Sequence, residues 1–298
     1  MAEITHPLSY DGVTAMEAVR IMARALSAAG IDSPAADARL LVPAALGLTK
    51  SDLIVHPQRP LTREEASRLE QFQLRRCGYE PVSRILGERE FFGRMFEITP
   101  DTLDPRPDSE TLIEAALELV RERAPQDSPV RILDIGTGTG CLLLTLLAEL
   151  PGATGVGTDL SAAALSVAAH NAMRHGLSGR VRWSQLRSFN GLCDPFDLII
   201  SNPPYIPSSD LETLEPEVRL FDPALALDGG VDGLQIYREI AGGLALAPAF
   251  AAALFEVGAG QAADVEDILR AQLGPKVHRV RSWIDLGGHT RCVAVVTQ

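Results

Sequence analysis

Four consecutive residues, Asn202, Pro203, Pro204 and Tyr205, have the types and order needed to bind a planar amide or amino group. The Asn202 side-chain oxygen and the Pro203 carbonyl oxygen are hydrogen-bond acceptors, and the two prolines have no N–H that could compete for them. The ring of Tyr205 can pack flat against a planar guest. The structural alternative is a plain turn, because Asn-Pro is a common turn opener.

Such acceptors suit methyl transfer to an amide nitrogen. This nitrogen is a poor nucleophile because its lone pair is delocalised into the carbonyl. An enzyme must therefore hold it in line with the methyl donor and accept its protons. We expect the rate to come mainly from positioning and from the exclusion of water, and not from a strong base.

A second candidate site lies in the segment VRILDIGTGTGCLLLTLLAEL, which is typical of a strand, a glycine-rich turn and a helix. Gly136, Gly138 and Gly140 permit a tight turn, and helix N–H groups can point at a ligand there. A dinucleotide fingerprint would place its third glycine where this chain has Cys141. The GxGxG form resembles the S-adenosylmethionine-binding loop of Rossmann-like methyltransferases, with a tight turn that binds nothing as the alternative.

Asp159 ends the apolar segment GATGVGTDL and could accept hydrogen bonds from both hydroxyls of a ribose. Its alternative role is to cap the following helix, although Ser161 could provide that cap instead. We expect Asp134 to steady the glycine loop or to meet a ligand's ammonium group. In open α/β sheets ligands bind at the carboxyl ends of the strands, so the loop, Asp159 and Asn202 should converge on one crevice.

The elements that would position these residues fall into three parts. Capping-box patterns at Thr14 and Thr62, and Ser33 before a proline, predict an all-helical start, and Gly93 lies at the turn of a predicted hairpin. Apolar strands then alternate with helices, which predicts a Rossmann-like α/β fold with a parallel sheet covered on both faces. We therefore predict a helical domain over residues 1–88, a hairpin and linker over 89–110, and a methyltransferase domain over 111–298.

Composition excludes several functions. The 39 acidic and 27 basic residues give a net charge of -12, which opposes broad binding to nucleic acid. The cysteines form no CxxC pair and the histidines show no HExxH spacing, so we expect no metal. The amino terminus lacks a secretory signal and no apolar run could span a bilayer, so we expect a cytoplasmic protein that does not bind membranes.

The sequence resembles the release-factor glutamine N5-methyltransferases along nearly its whole length. The shared segments are LGLTKSDLIVHP, YEPVSRILGEREFFGRMFEI, PRPDSETLIE, DIGTGTG, TDLS, SNPPYI, EPEV, LDGGVDGL, FEVGAGQ and DLGGHTR. The resemblance implies methylation, by S-adenosylmethionine, of the glutamine in the Gly-Gly-Gln loop of class I release factors, which leaves S-adenosylhomocysteine. The helical domain would bind the release factor.

The resemblance also implies roles for individual residues. The cofactor would contact Gly136, Thr137, Gly138, Thr139, Gly140, Asp159, Ser188 and Asn202. The glutamine would contact Asn202, Pro203, Pro204 and Tyr205. The chain departs from the family at Asp104, where an apolar residue is usual, and at Arg187 and Ser188, where an acidic and then an aromatic residue often lie near the adenine. A Pro-Gly-Gly turn of the family is replaced by residues 248–250.

Two other functions compete with this interpretation. The Asn-Pro-Pro-Tyr motif would also suit an exocyclic amino group on DNA or RNA, but the chain has no basic recognition domain for a nucleic acid. A cofactor-binding scaffold without turnover is the non-enzymatic alternative, prompted by Asp104 and Arg187.

Overall fold

The computed structural model of the chain divides into two compact units. The residues that it describes are 9–123, 129–186 and 194–297. One unit comprises Met1–Gly87 together with Glu215–Phe221, and the other comprises Glu88–Leu214 together with Asp222–Gln298. The grouping of Glu215–Phe221 with the helical unit was not predicted.

The described residues alternate between helices and strands as follows. The α-helices are α1 (Ala15–Ala28), α2 (Pro34–Leu46), α3 (Lys50–Val55), α4 (Arg63–Cys77), α5 (Val82–Leu86), α6 (Glu110–Arg123), α7 (Cys141–Glu149), α8 (Ala162–Arg174), α9 (Pro216–Phe221), α10 (Gln235–Leu246) and α11 (Ala262–Leu273). The strands are β1 (Glu88–Phe91), β2 (Arg94–Glu97), β3 (Arg131–Ile135), β4 (Thr154–Asp159), β5 (Val181–Gln185), β6 (Leu198–Ser201), β7 (Ala252–Glu256), β8 (Val277–Ile284) and β9 (Thr290–Thr297).

The helical unit contains α1 to α5 and α9, and its helix starts follow from local chemistry. Thr14, Thr49 and Thr62 each accept a hydrogen bond from the backbone three residues later, and an acidic side chain returns the bond. These reciprocal bonds satisfy N–H groups that a helix start leaves without partners. The predicted helices are confirmed, and α3 and α5 are additional helices that we did not delimit.

An ion-pair network joins distant parts of the helical unit. The guanidinium of Arg76 on α4 is buried and pairs with Asp37 on α2 at 2.7 Å and with Glu217 on α9 at 2.5 Å. A buried charge needs such partners, because desolvation alone would be costly. Arg76 thus connects α9 to α2 and α4, which lie much earlier in the chain.

The second unit begins with the predicted hairpin and continues into a seven-stranded sheet. Strands β1 and β2 pair antiparallel around a turn in which Phe92 and Gly93 have positive φ angles. The sheet order is β5-β4-β3-β6-β7-β9-β8, and neighbours from β5 to β7 are parallel. The Rossmann-like fold is confirmed.

The sheet departs from the all-parallel prediction at one edge. Strand β9 pairs antiparallel with both β7 and β8. Only a short turn separates β8 from β9, and a short connection can join antiparallel strands but not parallel ones. Strand β8 was not predicted, because its residues are mostly exposed or half-buried and lack a continuous apolar face.

Helices cover both faces of the sheet. One core cluster packs α6, α7 and α8 against the strands, and another packs α10 and α11 against the opposite face. Within the described residues, no helix combines the length and the apolar character that crossing a membrane requires. The strand order reverses between β3 and β6, so the carboxyl ends of β3, β4 and β6 open onto the crevice where such folds bind ligands.

Candidate active site

The glycine-rich loop links β3 to α7 and exposes its backbone. Gly136 and Gly138 have φ angles of +76° and +53°, and a Cβ at either position would meet no atom within 4 Å. The N–H groups of Gly136 and Thr137 donate to the Thr158 carbonyl at 2.9 and 2.8 Å. The loop therefore turns sharply back over β4 and leaves open space on its outer side.

Asp134 lies buried beneath this loop. Its Oδ2 accepts a hydrogen bond from Thr137 Oγ1 at 2.6 Å, which is the steadying contact expected from the sequence. Its Oδ1 is buried without a hydrogen-bond partner among the described residues. Burial raises the pKa of Asp134 to about 7.

Asp159 lies at the tip of β4 and is half-buried. One carboxylate oxygen accepts from the Gly138 N–H at 3.0 Å, and the other accepts from the Ser161 N–H at 2.9 Å. Ser161 caps α8 by accepting from the Ala164 N–H at 3.1 Å. Because Ser161 provides the cap, Asp159 is not needed for it, and its oxygens retain lone pairs for a further donor.

The acceptor turn, residues 202–205, begins where β6 ends. Ser201 anchors that end, since its hydroxyl donates to the Ile135 carbonyl at 2.7 Å. The Asn202 Nδ2 atom donates to Ser109 Oγ at 3.3 Å, which leaves the Asn202 oxygen for another partner. Among the described residues, none donates a hydrogen bond to the Pro203 carbonyl. Two acceptors are thus available, as the residue types predicted.

Two loops from later in the chain hold the acceptor turn. Gln261 Nε2 donates to the Tyr205 carbonyl at 3.0 Å, and Gly229 N–H donates to the Ile206 carbonyl at 2.8 Å. A Cβ at Gly233 would lie 2.4 Å from the Tyr205 oxygen, and one at Gly258 would lie 3.0 Å from the Tyr205 ring. Only glycine permits this approach. These positions were not predicted as part of the site, although they lie in the segments LDGGVDGL and FEVGAGQ, which the chain shares with the family it resembles.

A cavity of about 510 Å³ joins the three motifs. Its lining includes Gly136, Thr137, Gly138, Thr139, Asp159, Asn202, Pro203 and Pro204. Its apolar wall is formed largely by Leu103, Leu142, Ala164, Leu186, Leu225 and Ile236. A carboxylate, an open backbone loop and apolar surface in one cavity could hold a ribose-bearing cofactor.

The structure separates some predicted residues from this lining. Gly140 caps the N-terminus of α7 and does not line the cavity. A Cβ there would lie 3.1 Å from Leu144 and 3.2 Å from Ala168, so Gly140 allows α7 to pack closely against its neighbours. Tyr205 also lies outside the lining, with its ring half-buried against the core and its pKa raised to about 12 by burial. Ser188 lies outside the described residues.

Asp104, where the family usually has an apolar residue, lies away from the cavity. Asp104 is buried and does not line the cavity. Arg106, which does line it, pairs instead with Asp222 at 2.5 Å, and the Asp104 N–H donates to the same carboxylate at 3.3 Å. Asp222 thus organises this wall, and the sequence carried no local signal of it.

Comparison with known proteins gives the family. Residues 17–87 match the family described as PrmC N-terminal domain, and residues 109–220 match the methyltransferase small domain. A protein of Bradyrhizobium diazoefficiens named release factor glutamine methyltransferase is 48% identical over 264 residues, which is 88% of each chain. The chain belongs to the release factor glutamine methyltransferase family. A member from Cereibacter sphaeroides is 44% identical, with 94% of this chain and 97% of that protein covered.

Solved structures agree on the fold of this family member. The catalytic domain of hMettl16, in complex with MAT2A 3'UTR hairpin 6, has a TM-score of 0.57 at 20% identity and covers 78% of this chain and 81% of that one. The N-terminal domain of human METTL16 in complex with SAH has a TM-score of 0.51 at 19% identity, with 69% and 76% covered. At such identities the likeness extends to the fold alone.

Proposed function

We propose that this chain transfers a methyl group from S-adenosylmethionine to the side-chain amide nitrogen (N5) of the glutamine in the Gly-Gly-Gln loop of class I peptide chain release factors. The products are the N5-methylated glutamine and S-adenosylhomocysteine. The observation that carries the proposal is the match to release factor glutamine methyltransferases over nearly the whole chain, together with the lining of the cavity by Asn202, Pro203 and Pro204 of the acceptor turn.

The cavity fits the cofactor. Side chains at Gly136 and Gly138 would fill the space beside the loop, and the open backbone there gives room for a ligand to approach. Asp159 would accept hydrogen bonds from the ribose hydroxyls, and the leucine-rich wall would cover the apolar parts of the nucleoside. When bound, S-adenosylmethionine supplies a methyl group attached to a positively charged sulfur. That sulfur is a good leaving group because loss of the methyl group makes it a neutral thioether.

The acceptor turn would position the side-chain amide of the substrate glutamine. Asn202 Oδ1 and the Pro203 carbonyl would each accept one N–H of the glutamine amide, which fixes the nitrogen toward the methyl group. The amide nitrogen that received the methyl group would release one proton to solvent, while Asn202 and Pro203 would hold the nitrogen in place by accepting hydrogen bonds. Pro204 would line the glutamine pocket, and Tyr205 would keep the turn in place from behind.

The helical unit would bind the release factor outside its Gly-Gly-Gln loop. We infer a protein partner, with no direct contact to nucleic acid, because the chain carries a net charge of -12. Release factors act in translation, so the reaction would take place in the cytoplasm. No membrane takes part in it.

The test is transfer of radiolabelled methyl groups to a purified release factor. The substrate is compared with a version whose Gly-Gly-Gln glutamine is replaced by alanine, and a structured RNA serves as a third acceptor. We expect label on the glutamine form only. Equal labelling of both release factors would overturn the site of methylation, and label on the RNA alone would overturn the substrate class.

A substitution in the acceptor turn tests the assigned chemistry. Asn202→Ala should lower kcat by about 100-fold or more, because a lost acceptor misplaces the nucleophile, while cofactor affinity changes less than about threefold. Gln272→Ala, which removes an exposed amide on α11, is the matched control and should keep the wild-type rate. A wild-type kcat for Asn202→Ala would refute the role of the acceptor turn.

A further inference from the structure

A buried carboxyl lies behind the acceptor turn. Glu256 is the last residue of β7, and only 2% of its surface is exposed. Its Oε2 atom has no hydrogen-bond partner among the described residues. Burying an incompletely paired carboxyl is costly, so its presence calls for a function. The methyl transfer proposed above does not use it.

Two side chains connect Glu256 to the turn. Strands β6 and β7 pair in parallel with Ser201 opposite Phe255, so Asn202 and Glu256 follow at neighbouring positions. Asn202 Nδ2 donates to Ser109 Oγ at 3.3 Å, and Ser109 and Asn202 both lower the pKa of the Glu256 carboxyl. The Ser109 hydroxyl can accept from Asn202 and donate its own hydrogen to Glu256. The Asn202 amide nitrogen is thus turned toward Ser109, on the side of the buried carboxyl. The Asn202 oxygen must face the other way.

We propose that Glu256 is a positioning residue that fixes the orientation of the Asn202 side chain, so that the Asn202 oxygen faces the substrate amide. An ionised carboxylate only accepts hydrogen bonds, so it admits Asn202 with its nitrogen turned inward. A protonated carboxyl can donate to the Asn202 oxygen and permits the reversed amide. The reversed amide presents N–H groups to the N–H groups of the substrate. The inference rests on the proposed function, because the substrate amide decides which orientation is productive.

The surroundings of Glu256 make its ionisation sensitive to pH near neutrality. Burial raises its pKa to about 7, a shift that Ser109, Arg291 and Asn202 oppose and Asp108 assists. Burial also raises the pKa of the other titratable groups that interact with Glu256, so they stay uncharged at neutral pH; these groups are Tyr205, Tyr237, Cys141 and Cys292. Arg291 stays charged, since Asp285 and Asp108 raise its pKa. Asp134 also has a pKa of about 7, so the effect of Glu256 must be isolated by substitution.

Kinetics supply the first test. The kcat for release factor methylation is measured between about pH 6 and about pH 8.5, a range that brackets the raised pKa. Glu256→Gln should lower kcat about tenfold at the alkaline end, because a neutral partner holds Asn202 more weakly than a charged one. At the acidic end the two proteins should approach the same rate, since Glu256 is then neutral in both. Glu266→Gln on the surface of α11 is the control and should follow the wild type throughout.

The side-chain amide of Asn202 provides a second readout that needs no substrate. Its N–H2 resonances, assigned through their loss in Asn202→Asp, should shift with pH in the wild type with a midpoint near 7. In Glu256→Gln they should not titrate at that midpoint. Ser109→Ala should move the midpoint to higher pH, because the Ser109 hydroxyl stabilises the charged carboxylate.

The outcomes separate this inference from the proposed function. The positioning role would be overturned, while methylation itself stands, if the ratio of the wild-type kcat to the Glu256→Gln kcat were constant across the pH range. It would also be overturned if the Asn202 resonances titrated in Glu256→Gln as they do in the wild type. A wild type that methylates no release factor, but whose Asn202 resonances titrate through Glu256, would overturn the proposed function and leave the contact between the two side chains supported.

Discussion

Gly233 offers a quantitative test of how the acceptor turn is held. Its φ angle is +73°, and a Cβ there would lie 2.4 Å from the Tyr205 carbonyl oxygen and 2.7 Å from Gln261 Nε2. A side chain at this position thus meets a backbone atom that cannot swing aside. Relieving the contact requires the Tyr205 carbonyl to move by roughly 1 Å, given the usual separation of about 3.5 Å between non-bonded atoms. That movement would also break its 3.0 Å hydrogen bond to Gln261.

The expected magnitudes for Gly233→Ala follow from these distances. The left-handed backbone costs an alanine about 1 kcal/mol, and the lost buried hydrogen bond adds about 1–2 kcal/mol. The free energy of unfolding should therefore fall by about 2–3 kcal/mol. Because Asn202 and Pro203 lie in the same turn as Tyr205, the displacement should lower kcat by about 10- to 100-fold.

Gly176→Ala is the matched control for this experiment. Gly176 follows α8 with a φ angle of +69°, and a Cβ there would meet no atom within 4 Å. It carries the same backbone cost of about 1 kcal/mol but moves nothing near the cavity, so kcat should stay within about twofold of the wild type. Urea denaturation and methylation kinetics measure both quantities. Equal kcat values for the two variants would show that the acceptor turn does not depend on the close approach of Gly233 to the Tyr205 carbonyl.

Three more substitutions test other parts of the structure. Asp159→Ala should raise the calorimetric dissociation constant of S-adenosylhomocysteine at least about tenfold, because the ribose hydroxyls lose an acceptor, and unchanged affinity would remove this residue from the cofactor site. Arg76→Met should destabilise the helical unit by about 3 kcal/mol in urea, because Asp37 and Glu217 lose their shared cation; a loss below about 1 kcal/mol would contradict the network. Burial raises the pKa of Glu256 from 4.5 to about 7, so the stability that its proton confers is full below pH 4.5 and is lost as the pH approaches 7. Glu256→Gln should therefore gain up to about 3 kcal/mol over the wild type between about pH 5 and about pH 8, and a pH-independent difference would contradict this pKa.

Local signals explain why much of the site could be predicted. Gly136 and Gly138 mark a turn, Asp159 ends an apolar run, and Asn202 precedes two prolines that cannot continue a strand. Each signal depends on a few adjacent residues. The rule that ligands bind at the carboxyl ends of parallel strands then brings these separate signals together.

The features that escaped prediction depend on contacts between distant residues. The pairing of Arg76 with Glu217 spans 141 residues, and nothing in either segment identifies the partner. Strand β8 was missed because its charged, exposed residues show little apolar periodicity. Glu256 had a usable signal, since it is a carboxylate at the carboxyl end of an apolar strand. Asp159 was predicted from the same kind of signal.

The way the acceptor turn is held bears on how this chemistry should be recognised in other proteins. Asn-Pro-Pro-Tyr is a short string that many unrelated chains could contain by chance. Here its shape depends on the absence of side chains at Gly229, Gly233 and Gly258, which belong to segments far downstream. A tetrapeptide found without small residues at the equivalent downstream positions would have no room to adopt this conformation. Genome searches for amide methylation should therefore score the glycines and the tetrapeptide as one composite signature.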